Sequence, residues 1–314
     1  MNGAAIISKQ PGPQPAPLNA ASLKAALTHP QGNFARVEVV ASAGSTNTDL
    51  AAHAADSTAR WPDLSVLIAD AQPAGKGRLG RSWEVPAGAA MISSVYLHPA
   101  AQLRHNGTGN PAAFLPTGYG WLSILAGIAA CERLRTLTGV PAELKWPNDV
   151  VANGRKLAGI LAQVVPASGT REGPGVVVGA GINVSLRADE LPTPRATSLL
   201  VEGGTVLDRN VLLPAYLNKF AALYREFVAV GGDAQRPLAG GLSLLELAGS
   251  HMGTLGAEVR AELPGGAMLQ GTATGLGVDG ALLLRDAGGT VHAVSAGDVV
   301  HLRRTGPDGT VTYA

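Results

Sequence analysis

Gln72-Pro73-Ala74-Gly75-Lys76-Gly77-Arg78-Leu79-Gly80-Arg81-Ser82-Trp83 is the stretch on which the fold turns, because Gly75, Gly77 and Gly80 spell Gly-x-Gly-x-x-Gly literally. A dinucleotide-binding fold would place that pattern between a strand and a helix, with an acid about 20 residues further on for the ribose. A strand before it is plausible at Val66-Leu67-Ile68-Ala69, but Pro86 and Gly88 follow at once and no acid occurs between Glu84 and Glu132. The doubly wound reading is therefore set aside. What is left is a flexible loop carrying three cations among three glycines, suited to closing over a phosphate or carboxylate. The competing reading is a solvated basic loop, and only a second site elsewhere separates the two.

Working outward, 314 residues suffice for a large domain with an appendage, or for two domains. A net charge of +1 with dispersed basic residues lacks the footprint of a general nucleic-acid binder, so anion recognition is expected to be local. The single cysteine, Cys131, lies in an apolar run and reads as a buried, inert thiol. No run reaches about 18 apolar residues and no basic-then-apolar leader opens the chain, which predicts a cytoplasmic protein without membrane contact. The histidines show no ligand spacing, so no metal site made by protein alone is expected.

Residues 1–19, rich in Pro, Gly, Ala and Gln, read as a disordered tail, followed by a short helix at 22–27 and a strand at 34–40. Strands are predicted at 65–71, 91–97, 143–145, 155–165 and 175–184, and helices at 48–55, 119–138 and 211–230. The class is α+β with a mixed sheet. Asn153-Gly154 predicts a hairpin, since both central residues of a type I′ turn need φ > 0. Segments 101–117 and 185–196 read as loops. After residue 247, five short β runs at 254–263, 267–276, 281–285, 291–294 and 299–302 indicate a small barrel. It is expected to dock through Leu242, Leu244, Leu245 and Leu247.

Four further clusters carry polar chemistry at element ends. Lys145-Trp146-Pro147-Asn148-Asp149 puts an amide and a carboxylate where a strand meets a turn, which is equally how an ordinary Asn-Asp turn looks. Arg155-Lys156-Leu157-Ala158-Gly159-Ile160-Leu161 sets Lys156 on a hairpin arm, as a fixed ammonium or as a solvated edge charge. Gly179-Ala180-Gly181-Ile182-Asn183 clears one sheet face for a flat ligand, or marks a β-bulge. Gly44-Ser45-Thr46-Asn47 precedes a helix, and capping accounts for one of its three polar residues, not all three.

In order and spacing these clusters, with Ala196-Thr197-Ser198-Leu199, resemble the bacterial biotin protein ligases, of the short type lacking an N-terminal DNA-binding domain. The resemblance covers residues 35–200, and the terminal small barrel extends it to 304. It implies a tail and short helix over 1–34, a biotin/lipoate ligase-like catalytic domain over 35–248, an SH3-like β-barrel over 249–304 and a tail over 305–314. It also implies ATP-dependent activation of biotin as biotinyl-5′-adenylate, Mg²⁺ accompanying ATP, and transfer to a lysine of a biotin carboxyl carrier domain of biotin-dependent carboxylases. Lys156, Arg78 and Asp149 are then the catalytic set. Ser45, Thr46, Asn47, Gln72, Lys76, Gly77, Arg78, Lys156 and Gly159 are assigned to biotin, and Gly75, Arg78, Arg81, Trp83, Asn148, Asn183 and Thr197 to ATP. One departure stands out: Lys76 replaces the arginine of the family's Gly-Arg-Gly-Arg, keeping the charge without the planar fork. Lipoate protein ligase and a biotin-responsive DNA-binding repressor are the alternatives. The repressor would need a basic helix near the start, where residues 1–34 offer only Lys9 and Lys24 as cations.

Overall fold

The apolar runs at the centre of the sequence become strands buried on both faces, and helices cover each side of them. A computed structural model describes residues 15–56, 61–101, 114–167, 173–262, 267–295, 301–305 and 311–312. Nine strands fall in the larger unit: β1 (Arg36–Ser42), β2 (Ser65–Ala71), β3 (Gly75–Lys76), β4 (Ser82–Trp83), β5 (Ala90–Leu97), β6 (Ala142–Lys145), β7 (Asp149–Ala152), β8 (Arg155–Val165) and β9 (Gly175–Asn183). Seven of them form one sheet in the order β1-β2-β5-β9-β8-β7-β6. Only β1 and β2 run parallel, joined by helix α2 (Thr46–Ala55), and the other neighbours are antiparallel. This is the expected mixed sheet. The Asn153-Gly154 hairpin is present, with φ of 48° and 74° at its two central residues.

Strand alternation sorts the core. Val176, Val178, Ala180 and Ile182 of β9 join Val66, Ile68, Met91 and Val95 in the main cluster under α3 (Trp121–Thr138) and α4 (Arg209–Ala229). Val177, Leu67 and Tyr96 face the opposite side and pack with Leu50 and Ala54 of α2. Cys131 of α3 is fully buried, and that burial pushes its thiol up to about 12, in keeping with an inert role. Among the described residues no helix is long and apolar enough to cross a membrane.

One irregularity turns a charged side chain out of the core. Along β7 and β8 the register runs Asp149↔Gly159 and Val150↔Ala158, then shifts to Val151↔Lys156. Leu157 and Ala158, adjacent in sequence, both enter the main core. A bulge therefore sits at Leu157, and Lys156, which regular alternation would send into the core with Ala158 and Ile160, emerges on the other face. The pairing of β9, by contrast, is regular on both sides through Gly179–Asn183, so the bulge reading of that segment does not hold.

The C-terminal unit holds β10 (Glu258–Glu262), β11 (Met268–Leu276), β12 (Leu282–Arg285), β13 (Val291–Val294), β14 (His301–Thr305) and β15 (Val311–Thr312). They form an antiparallel sheet of six strands rather than five, in the order β13-β12-β11-β10-β14-β15. Helix α5 (Leu244–His251), opened by a Ser243/Glu246 capping box, leads into it. Of the expected docking face, Leu244 is fully buried and Leu245 and Leu247 pack partly buried against the main core, whereas Leu242 is 47% exposed. Two indoles add to the junction, Trp121 donating from Nε1 to Val278 O at 2.8 Å and Trp146 to Gly280 O at 2.9 Å.

The tail expectation also needs correcting at its end. Residues 1–14 lie outside the described residues, but the segment from 15 is ordered against the start of α4, where Arg209 donates to Ala16 O and Asn210 to Pro17 O. Asn19 then caps α1 (Ala20–Leu27), whose Leu23 and Leu27 are fully buried. Polar side chains of α4, together with Leu18 packed against the main core, hold this stretch, which is why composition alone missed it. Of the loop expected over 101–117, residues 102–113 lie outside the described residues and 116–120 form a 3-10 turn.

Candidate active site

On the α2 face of the sheet lies a cavity of about 200 Å3, and its two ends are built differently. The first end is a neutral corner at the start of α2. Ser45 caps the helix, its Oγ accepting from Thr48 N at 3.5 Å. Gln72, just past β2, accepts through Oε1 from Thr46 N at 2.8 Å and Thr46 Oγ1 at 3.0 Å. Since an N–H can only donate, this fixes the amide's orientation and leaves its nitrogen as an unpartnered donor among the described residues. Asn47 donates to Leu161 O at 2.9 Å and accepts from Ser94 Oγ at 2.6 Å. A Cβ at Gly179 would stand 1.9 Å from Asn47 Oδ1, so that glycine exists to admit the amide.

The second end is cationic. The glycine-rich stretch is not a free loop but a small hairpin, with Gly75↔Trp83 and Lys76↔Ser82 paired and a 3-10 turn at Arg78–Gly80. From it Arg78 crosses the cavity and donates to Asn148 Oδ1 at 3.0 Å, while Asn148 donates in turn to Ile160 O of β8. Trp83 lies over the floor, where a Cβ on Gly181 would meet its indole at 2.6 Å and one on Gly159 at 3.5 Å. Lys156, turned outward by the bulge, runs alongside Gly159 and pairs with Asp149 Oδ1 at 2.7 Å.

The cavity wall carries five cations, Lys76, Arg78, Arg81, Lys145 and Lys156, against one carboxylate, Asp149. Burial lowers the pKa of Arg78, opposed by the charge of Asp149. Burial likewise lowers that of Lys145, with Asp149 opposing and Lys156 and Arg195 adding to the effect. Among the described residues Lys145 Nζ has no hydrogen-bond or ion-pair partner. Arg78 and Lys145 are the desolvated members of this surplus, Lys76 and Arg81 being exposed, and an anion brought from outside stabilises it.

The structure therefore brings Ser45, Thr46, Asn47, Gln72, Lys76, Gly77, Arg78, Arg81, Trp83, Asn148, Asp149, Lys156 and Gly159 to one cavity. It keeps three others off its wall. Gly75 is needed for packing, since a Cβ there would meet Trp83 O at 2.2 Å and the Gln72 amide at 2.4 Å. Asn183 and Thr197 are buried behind the floor, Asn183 donating to Thr197 O and Thr197 to Glu202 Oε1. Sequence reasoning gave no role to Lys145, to Ser82 or to Ile92, which also line the cavity. For Lys145 the signal was its position four residues before Asp149, across the turn that pairs them. No group of three metal-ligating side chains occurs among the described residues.

Comparisons with known proteins agree with this geometry. The model of the biotin/lipoate A/B protein ligase family matches residues 39–183, and that of the biotin protein ligase C terminal domain matches 254–302. The biotin–acetyl-CoA-carboxylase ligase of Mycobacterium tuberculosis is 40% identical over 291 residues, which is 91% of this chain and 97% of that protein. The bifunctional ligase/repressor of Escherichia coli is 36% identical over 165 residues, 52% of this chain and 47% of its own length. A solved structure of biotin protein ligase from Aquifex aeolicus in complex with biotin and ATP superposes with a TM-score of 0.63 at 27% identity, covering 87% of this chain and all of that one.

Proposed function

Because this chain belongs to the biotin protein ligase family, we propose that it joins biotin to a lysine of a biotin carboxyl carrier domain at the expense of ATP. The observation carrying the reading is that Lys156 and Arg78, from opposite walls, share one cavity with a neutral polar corner at its far end. Biotin has that polarity, an uncharged ureido group at one end and a carboxylate at the other. In the proposed placement Gln72, Ser45 and Thr46 meet the ureido end, with Asn47 and Gly159 completing the pocket. The carboxylate then lies between Lys156 and the hairpin cations Lys76 and Arg78, next to Gly77.

In the first step a carboxylate oxygen attacks the α-phosphorus of ATP; the new C(O)O–P bond forms as the Pα–O bond to pyrophosphate breaks. Negative charge grows on the phosphoryl oxygens and the leaving group. In this reading Lys156, Arg78, Arg81 and Lys145 stabilise it, and Trp83 and the hairpin shield the acyl-phosphate from water once the substrates are bound. In the second step a neutral carrier lysine amine attacks the acyl carbon; the C–N bond forms, the C–O bond to AMP breaks, one proton leaves the nitrogen for solvent, and Asp149 orients the incoming amine. Asn148 is assigned to the nucleotide. A magnesium ion fits only as a companion of the ATP phosphates, because the one carboxylate on the wall is already paired with Lys156. When bound, the ion would neutralise phosphate charge.

The catalytic unit is taken as 35–248 and the SH3-like unit as 249–304, acting in the cytoplasm. The test is mass spectrometry of a carrier domain incubated with the protein, ATP, Mg²⁺ and biotin. One biotinyl group on one lysine is expected. Lipoyl transfer in its place, or no adduct, would overturn the assignment.

A further inference from the structure

Lys156 owes its direction to a bulge, and a bulge leaves backbone groups without their regular partners. Strand β9 ends at Asn183, one residue short of reaching Lys156, since the β8–β9 register begins at Ala158↔Ile182. The missing partner is supplied by residues 195–197, which lie parallel to Lys156 in a short bridge. Lys156 N donates to Arg195 O at 2.7 Å, and Thr197 N donates to Lys156 O at 2.8 Å.

This substitute strand is itself held by Glu202, whose side chain is only 3% exposed. Its Oε1 accepts from Thr197 Oγ1 at 2.6 Å and from Arg155 Nη2 at 2.8 Å. Its Oε2 accepts from Asn153 Nδ2 at 2.7 Å. One carboxylate thus grips the hairpin tip, the residue just before Lys156 and the segment on its other side. Asn183 adds a second hold on that segment through Nδ2 to Thr197 O at 2.8 Å. None of these groups reaches the cavity wall, yet together they fix the backbone from which the ammonium projects.

We infer that Glu202, acting through Thr197 and Arg155, is a positioning residue for Lys156. The inference rests on the proposed ligase reading for its consequence in catalysis, and on the backbone geometry for the mechanical link. A displacement of about 1 Å at a reacting group costs about 100-fold in rate, so loosening this anchor acts on turnover more than on substrate affinity.

Two readouts test it. In Glu202→Ala, hydrogen exchange at the Lys156 and Thr197 amides accelerates while the β5–β9 amides keep their protection; unchanged exchange at both amides overturns the link. In adenylate formation at saturating biotin and ATP, Glu202→Ala and Thr197→Val lower the rate about 10- to 100-fold, more than they raise the biotin Kd, and Thr197→Ser restores most of the rate. Placed in a Lys156→Ala background, Glu202→Ala costs nothing further. An equal loss in both backgrounds, or a normal rate at saturation with the whole effect in Kd, overturns the role. A wild-type protein forming no adenylate would defeat the ligase reading, while the exchange measurement still decides the mechanical link.

Discussion

The two ends of the cavity solve opposite problems. At the neutral corner, Thr46, Asn47, Gln72 and Ser94 satisfy one another before any ligand arrives, so the remaining donor on Gln72 is held in one orientation. At the cationic end five positive side chains share the wall with one carboxylate, and Lys145 Nζ has no hydrogen-bond or ion-pair partner among the described residues. One end is preorganised by internal hydrogen bonds and chooses a shape; the other is left electrostatically incomplete and waits for charge. Neither end alone specifies a ligand. Their placement about one cavity fits a molecule neutral at one end and anionic at the other, which suits the acyl-adenylate chemistry of the family.

The comparison breaks most easily at the cationic end. Lys156→Ala is expected to slow adenylate formation about 1000-fold while biotin still binds the intact corner, read by pyrophosphate release and by titration of biotin. A variant that forms adenylate at the normal rate would remove Lys156 from the chemistry. At the other end, Gly179→Ala forces a methyl group to within 1.9 Å of Asn47 Oδ1. Biotin affinity should fall about 100-fold, with the maximal rate changed far less. If kcat falls and Kd does not, the division of labour is wrong.

Lys145→Ala sharpens the cationic side. Loss of an unpartnered cation should raise the KM for ATP about tenfold and leave biotin affinity unchanged. A smaller effect separates the cavity from a buried acid elsewhere. Asp63, just before β2, accepts from His98 N at 2.6 Å and Tyr224 Oη at 2.9 Å, and burial pushes its pKa from 3.8 to about 6. The fold prefers its neutral form, so its stabilising contribution is complete below pH 3.8 and is lost as pH rises through about 6. Thermal or denaturant unfolding should show a loss on the order of 1 kcal/mol between about pH 5 and 7.5, absent in Asp63→Asn. A pH dependence of stability that survives that substitution points back to the cavity charges.

Much of this was legible in the residues. Strand and helix periods placed the sheet, Asn153-Gly154 gave the hairpin, and the polar trio Ser45-Thr46-Asn47 exceeded what a helix cap requires. Other placements were not legible. Gly75, Asn183 and Thr197, assigned to the nucleotide, lie off the wall of this cavity, Gly75 packed against Trp83 and Gln72 and Asn183 donating to Thr197 O. The outward turn of Lys156 depends on a bulge that simple alternation does not anticipate. The indole bonds of Trp121 and Trp146 to the C-terminal unit join residues 157 and 134 positions apart, beyond any local pattern.

The central claim, that the preorganised corner and the unfinished charge act on one molecule, is tested most directly by exchange of labelled pyrophosphate into ATP. The account predicts exchange when biotin is present, none without it and none when lipoate replaces it. Exchange without biotin, or with lipoate as readily as with biotin, would contradict it.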